Sequence, residues 1–374
     1  MTISGDRVRQ AREFAGLTQA GLAERIGLTQ AAISQLETGQ KQPSDEVATR
    51  IAFATGFPIG FFTQIESFDF PLGSLIFRAR TSLTATERSR AHRLAQVAFE
   101  VAAKLAQRVH QLTVRLPTKT EDPTSAATLA RSGMGLSPDT PIPHLTNVLE
   151  RNGVLILALP TSIAALDAFS SWAGQDPRWP VIAFVSGKLG DRLRFSIAHE
   201  LGHLVMHQSP RGSFAELERD ANRFAAEFLL PDQAMRQEIT TPITLSSLTK
   251  LKRRWLVSTQ VLIRRAYDLE IATERQYRYL MQQLSHRGWR IREPEEFDIP
   301  IEKPRLLLKM AEVLYGWPRP DYAKMASDMK LSVPIVRSIL NLYQSRGALS
   351  QRVHDGAKRV GKVIPIFGQN ERNS

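Results

Sequence analysis

The chain has 374 residues, no cysteine and a formal net charge of +12. That length suits two or three domains, each with its own core, while the missing cysteines exclude disulfides, thiolate-held metals, iron–sulfur clusters and thiol nucleophiles. No apolar run reaches the roughly 20 residues of a membrane span and the polar N-terminus lacks a signal-peptide core, so a cytoplasmic protein with no membrane partner and an anionic one, such as nucleic acid, is expected.

The first sixty or so residues are punctuated as five short helices. Asp6 to Ala15 ends at Gly16, and Thr18 caps Gln19 to Ile26, which ends at Gly27. Thr29 then caps Gln30 to Glu37 before Gly39, and Ser44 caps Asp45 to Thr55 before Gly56 and Pro58. A hydroxyl before each start and a glycine after each stop are the local signals of helix ends. Gly27-Leu28 is a turn tight enough for a helix-turn-helix. The string from Leu17 to Gly39 resembles the Cro/repressor-like (XRE) DNA-binding family. That resemblance implies a five-helix, lambda-repressor-like domain whose third helix enters the major groove of an operator. It makes Gln30 and Gln35 the base readers, because a glutamine amide can pair with adenine at two points. Ser34 between them, Gln19 at the start of helix two and Lys41 after the reading helix become phosphate contacts. Ala31 is short where a reader is often long, and each of these polar side chains is also what a solvated helix face carries. Residues 1–66 hold six lysines and arginines against seven acids, whereas residues 232–374 hold 25 against 15. Phosphate neutralisation by this domain alone is therefore weak, and a homodimer on two half-sites is expected.

Residues 66–83 read as a connector, with Phe77-Arg78-Ala79-Arg80 either a docking strap or surface. A helix runs from Thr84 to about Leu112. Its stripe Leu94, Val97, Val101, Leu105, Val109 and Leu112 is long enough for a dimer seam or for packing on the peptidase core, and its lack of a clean heptad favours the core. Residues 117–141, rich in Pro, Thr, Ser and Gly, read as a loop. A helix from Ile142 to Asn152 precedes three strands, Val154–Leu159, Asp167–Trp172 and Val181–Val185. The last of these is the candidate edge strand for an extended substrate, held by β-addition.

His199-Glu200-Leu201-Gly202-His203 carries the chemistry. Two histidines four apart on a helix project from one face and reach one zinc ion, while Glu200 stands beside the metal's water as general base. Ser196 is the expected N-cap, and Ile197, Leu201, Leu204 and Val205 form the opposite, apolar stripe. His207, one turn further, is either an oxyanion donor or a surface histidine, and Arg192 and Arg194 either pin the helix start to carboxylates or are solvated. A hydrolytic zinc site needs one more protein ligand, and a second helix from Glu216 stopping at Pro231 crowds three acids into its first turns. His199 to His203 together with Glu218 to Pro231 resembles the ImmA/IrrE family of zinc peptidases. The resemblance implies a zincin-like α+β domain with Glu218 as third ligand, Asp220 as the alternative and Glu216 after it. Manganese is the other metal that a His/carboxylate set accepts.

Beyond Pro231 the chain is helical and basic: Leu245 to Trp255, Ser258 to Glu270 and Thr273 to Arg287, then a Pro/Glu-rich stretch at 293–304. Residues 257–266 join a short-turned helix pair and residues 323–337 carry helix-turn-helix punctuation; both read as bundle pieces or, alternatively, a second nucleic-acid or partner surface. The expected organisation is a mainly α, multidomain chain. It comprises a helix-turn-helix domain over 1–66, a linker and long helix over 67–116, a zinc peptidase core over 117–235 and a basic helical region over 236–374. The expected function is a DNA-binding transcriptional regulator fused to a gluzincin-like zinc endopeptidase. Its substrate would be a specific repressor-like protein in a stress or toxin–antitoxin setting, or the chain's own linker. The competing reading is a non-proteolytic regulator or antitoxin that uses the zinc domain as a sensor or a scaffold for a partner such as a toxin.

Overall fold

The computed structural model describes residues 2–64, 69–72, 84–109, 113–117, 122–159, 167–175, 178–185, 189–208 and 212–343. The segment 77–80, Leu112 and the last twenty residues lie outside them. The amino-terminal helices fall where local punctuation puts them: α1 (Gly5–Phe14), α2 (Gln19–Ile26), α3 (Gln30–Glu37), α4 (Asp45–Thr55) and α5 (Ile59–Phe62). The side chains of Thr18, Thr29 and Ser44 accept the backbone N–H groups of Gly21, Ala32 and Val47; each such cap is worth about 1 kcal/mol. Gly27 takes φ 67° at the turn between α2 and α3, a conformation that costs glycine nothing. Val8, Leu22, Ile26, Ile33, Ile51 and Phe61 close the small core.

The long helix α6 (Ala85–Val109) buries Leu94, Val97, Val101 and Leu105 against α1, the sheet and the carboxy-terminal helices. Core packing, the expected use of its stripe, follows from that placement. Its attachment to α1 is also ionic. Glu100, buried, accepts from Arg7 Nη1 at 2.7 and 2.9 Å and from Gln10 Nε2 at 2.8 Å, and Arg93 Nε donates to Glu13 at 2.7 Å.

The expected loop at 117–141 contains a helix, α7 (Pro123–Gly133), capped by Asp122. Proline at the first helical position starts a helix rather than breaking one, and Ala126, Ala127 and Ala130 supply a buried stripe too small to stand out by hydropathy. After α8 (Leu145–Arg151) come β1 (Leu155–Leu159), β2 (Ala168–Ala173) and β3 (Trp179–Val185), in the order β1-β3-β2. β3 pairs in parallel with β1 and antiparallel with β2, so it is the central strand and not the edge. Its nearly unbroken burial belongs to a strand covered on both faces. β2 is an edge. The bond from Val185 N to Asp167 O sets the alternation of the ladder, which turns the backbone groups of 168, 170 and 172 outward. Among the described residues no strand pairs there; Gly174 N, at its end, donates to Asp69 O at 2.6 Å.

The metal-motif helix α9 spans Gly190–Met206, with no side-chain cap at its start. Ser196, the expected N-cap, lies inside it. The preceding turn is helical because Leu193 is buried and because tertiary partners hold the polar groups around it. Arg194 pairs with Glu302 and donates to Ile142 O at 2.6 Å, Arg192 reaches the carbonyls of Arg290 and Ile291, and Lys252 pairs with Asp191. α10 (Phe214–Leu229) carries a capping box formed by Ser213 and Glu216. There follow α11 (Asp232–Glu238), α12 (Leu245–Trp255), α13 (Thr259–Asp268), α14 (Glu274–His286), a 3-10 turn at Glu295–Phe297, α15 (Leu306–Tyr315), α16 (Tyr322–Met329) and α17 (Val333–Asn341). The fold is thus mainly α, with a helix-turn-helix end, a three-stranded α+β middle and a helical carboxy-terminal region.

Candidate metal centre and nucleic-acid interface

α9 and α10 lie close together because Gly202 faces Phe224. A Cβ at 202 would stand 3.0 Å from Phe224 Cδ1. The approach brings Glu218 on α10 under the two histidines of α9. His203 Nε2 is 3.1 Å from His199 Nε2 and 3.2 Å from Glu218 Oε1, and His199 Nε2 is 3.5 Å from Glu218 Oε2. Ligand atoms about 2.0–2.1 Å from a tetrahedral ion stand about 3.4 Å apart, so the three donors already have the spacing of one coordination shell. His199 and His203 are 4% and 5% exposed. Among the described residues these three form the cluster able to hold a metal ion. Burial raises the Glu218 pKa, but hydrogen bonds and charge from His199 and His203 outweigh it and hold the carboxyl well below the usual range. Asp220 stands outside the cluster, and Glu216 is committed to its capping box, accepting from Ser213 N and Oγ at 2.7 and 2.8 Å.

Two neighbours, Asn222 and Ser170, are invisible to a motif, and His207 completes the surroundings. Asn222 Oδ1 lies 3.0 Å from His199 Nδ1. With Nε2 turned toward the ligand cluster, Nδ1 carries the proton and donates to that oxygen. Asn222 is one helical turn beyond Glu218, the only sequence signal it gives. Ser170 of β2 donates to Glu200 Oε2 at 2.9 Å, and Glu200 itself is 0% exposed. His207 Nδ1 stands 2.9 Å from His203 Nδ1, behind the ligand ring rather than on its Nε2 side. Burial, with His203 and His199 nearby, lowers its pKa to about 4. An oxyanion donor does not match that position, and the ring is half-buried.

On α3, Gln30 and Gln35 are exposed, Ser34 is half-buried and Lys41 beyond the helix is exposed. Gln19 is half-buried and donates to Glu37 Oε2 at 2.9 Å. Glu37 is itself buried against Arg12, at 2.5 and 3.0 Å, so this network fixes α3 against α1 and α2. Thr18, Gln19 and Gln30 line one cleft of about 260 Å³ with Thr86 and Ser89 of α6. The long helix therefore borders the reading face.

Comparisons with known proteins match these two regions. Residues 5–59 fit the model of a helix-turn-helix domain, and residues 149–267 fit that of the IrrE N-terminal-like domain, a peptidase family. A curated HTH-type transcriptional regulator of Methanothermobacter thermautotrophicus is 49% identical over 49 residues, which are 13% of this chain and 71% of that protein. No described helix is long and apolar enough to cross a membrane.

Proposed function

Because the chain belongs to the helix-turn-helix family and joins to it an IrrE N-terminal-like domain, we propose that it is a DNA-binding transcriptional regulator carrying a zinc-dependent endopeptidase that cuts a specific repressor-like or toxin-like protein. The observation that supports the peptidase reading is the convergence of His199, His203 and Glu218 beside a fully buried Glu200. A buried carboxylate held by Ser170 beside such a cluster stands where a general base is needed.

His199, His203 and Glu218 hold the ion, zinc in the first instance and manganese as the alternative. When bound, the metal supplies Lewis acidity, polarising a carbonyl and acidifying water. Glu200 takes the proton from the attacking water and passes it to the departing amine nitrogen. Ser170 orients Glu200 through Oε2, and Asn222 holds the His199 ring. The substrate lies extended along the outer edge of β2, its backbone paired with 168 and 170, which replaces β3 in that role. At the other end Gln30 and Gln35 read bases, with Ser34, Gln19 and Lys41 on phosphates, and two copies of the chain bind two half-sites. The division into 1–66, 67–116, 117–235 and 236–374 is part of this reading.

The test combines metal analysis with proteolysis. One zinc per chain is expected, lost in Glu218→Ala. Glu200→Gln is expected to keep zinc and abolish cleavage of whichever repressor or toxin neighbouring genes nominate as substrate. Cleavage surviving Glu200→Gln would sink the mechanism; zinc without any cleavage would shift the function to a non-proteolytic regulator.

A further inference from the structure

The expected punctuation at 323–337 turns out to reproduce the helix-turn-helix of the amino-terminal domain position by position. Asp321 caps α16 as Thr18 caps α2, and both helices have eight residues. Lys330 then takes φ 52°, ψ 45°, where Gly27 takes φ 67°, ψ 40°. Leu331 N donates to Ala326 O at 2.9 Å, as Leu28 N does to Ala23 O at 2.9 Å. Ser332 precedes α17 as Thr29 precedes α3. The burial agrees as well. Met325, Ala326 and Met329 are buried like Leu22, Ala23 and Ile26, and Val336 and Ile339 like Ile33 and Leu36. Pro334 and Arg337 are left exposed at the places of Ala31 and Ser34.

We propose that α16 and α17 form a second helix-turn-helix that binds the backbone of double-stranded DNA through the exposed face of α17 and the cations around it. Charge decides the partner. From Leu306 to Tyr343 all five cations, Lys309, Arg319, Lys324, Lys330 and Arg337, are exposed. Of the three acids in that stretch, Asp321 is spent capping α16 and Asp328 faces Arg108 at 3.4 Å. The amino-terminal domain carries more acids than cations, so it is poorly equipped to neutralise phosphates, and the unit at the other end of the chain supplies what it lacks. Lys330 occupies a left-handed turn position that suits glycine, and its stem packs within 4.0 Å of where a Cβ on Gly60 would sit. The second unit is therefore seated against α5 of the first.

The turn between α12 and α13 provides an internal contrast. Leu256 is also left-handed there, at φ 58°, but Thr259 at the start of α13 is buried and bound through N and Oγ1 by Glu293, at 2.9 and 2.6 Å. That helix start meets a carboxylate inside the protein, so its first turn is not open to a phosphate.

The test uses the full zinc-loaded chain and a fluorescent duplex of scrambled sequence, with affinity measured by anisotropy across a salt series. Lys324→Glu with Arg337→Glu should lower affinity tenfold or more and reduce the slope of log K against log salt by about 2, since each lost phosphate contact removes about 0.9. The same double charge reversal at Arg275 and Arg290, exposed cations outside the second unit, should leave scrambled-duplex affinity within about twofold, which separates a local phosphate contact from the change in net charge. A photo-crosslinking residue in place of Pro334 should form an adduct with the duplex. An unchanged affinity and slope in the chain reversed at Lys324 and Arg337, or an adduct at 334 only with protein, would overturn the proposal.

Discussion

Replacing Asn222 by Ala isolates what the protein does to its own ligand set without touching a ligand. Asn222 Oδ1 stands 3.0 Å from Nδ1 of His199, an imidazole only 4% exposed. Removing the acceptor leaves a buried N–H without a partner, a loss of about 1–3 kcal/mol. It also frees the ring to take the other tautomer, which would put a proton on the nitrogen that faces the metal. Through RT this corresponds to roughly tenfold to hundredfold weaker metal binding, the usual range for a lost outer hydrogen bond to a ligating histidine. The assay is zinc competition against a chromophoric chelator on wild type, Asn222→Ala and Asn222→Asp, with circular dichroism to confirm equal folding. Asn222→Asp keeps an acceptor and makes His199 more basic, so it should bind at least as tightly as wild type. Equal zinc affinity in wild type and Asn222→Ala would refute the orienting role. So would a loss of the same size in Asn222→Asp.

Three further outcomes follow from the packing. Gly202→Ala pushes a methyl to 3.0 Å from the Phe224 ring and should destabilise by about 1–3 kcal/mol as an overpacked contact; zinc affinity should fall with it, and Phe224→Leu in the same chain should restore part of both in a double-mutant cycle. Lys252→Met removes a cation that is 1% exposed between Asp191 and Glu293, leaving two buried carboxylates without their cation, so urea unfolding should show a loss of about 3–5 kcal/mol, against about 1 kcal/mol or less for the exposed pair lost in Arg278→Ala. Burial pushes the Glu150 carboxyl up to about 7, although the N–H groups of Arg305 and Leu306 pull the other way. Its folded pKa lies above its unfolded value, so the folded state binds more protons and stability falls as pH rises from about 4.5 to 7. Glu150→Gln should flatten that part of the wild-type profile, by up to about 3 kcal/mol, and an identical pH dependence in both chains would disprove the assignment.

How far the residues speak for themselves depends on how local the physics is. The helices of the amino-terminal domain, their hydroxyl caps and the left-handed Gly27 depend on contacts within a few residues, so α2, α3 and α4 fall at their predicted limits. His199 and His203 are likewise set one turn apart by helix geometry alone. The choice of Glu218 among three acids came from a family resemblance, and only the closeness of α10 to α9 at Gly202 places it under the rings while Asp220 stays outside. The helix at Pro123–Gly133 escaped because its buried face is alanine, which carries little hydrophobic signal but lets α10 approach closely.

Sequence alone therefore determined the local parts of this protein: two helix-turn-helix punctuations, a pair of histidines one turn apart with a glutamate beside the first, and a mainly helical chain with a short stretch of strands. Tertiary structure decided which of them meet. Strand order made β3 central and β2 the edge, because pairing partners are chosen by packing across the sheet and not by any property of a single strand. Asn222 and Ser170 joined the site from another helix and another strand, and buried pairs such as Arg194 with Glu302 and Lys252 with Asp191 fixed the start of α9 in place of a cap. These are contacts between residues far apart in the chain, where a charge or amide is stabilised only once folding has removed its water, so no window of sequence contains the information.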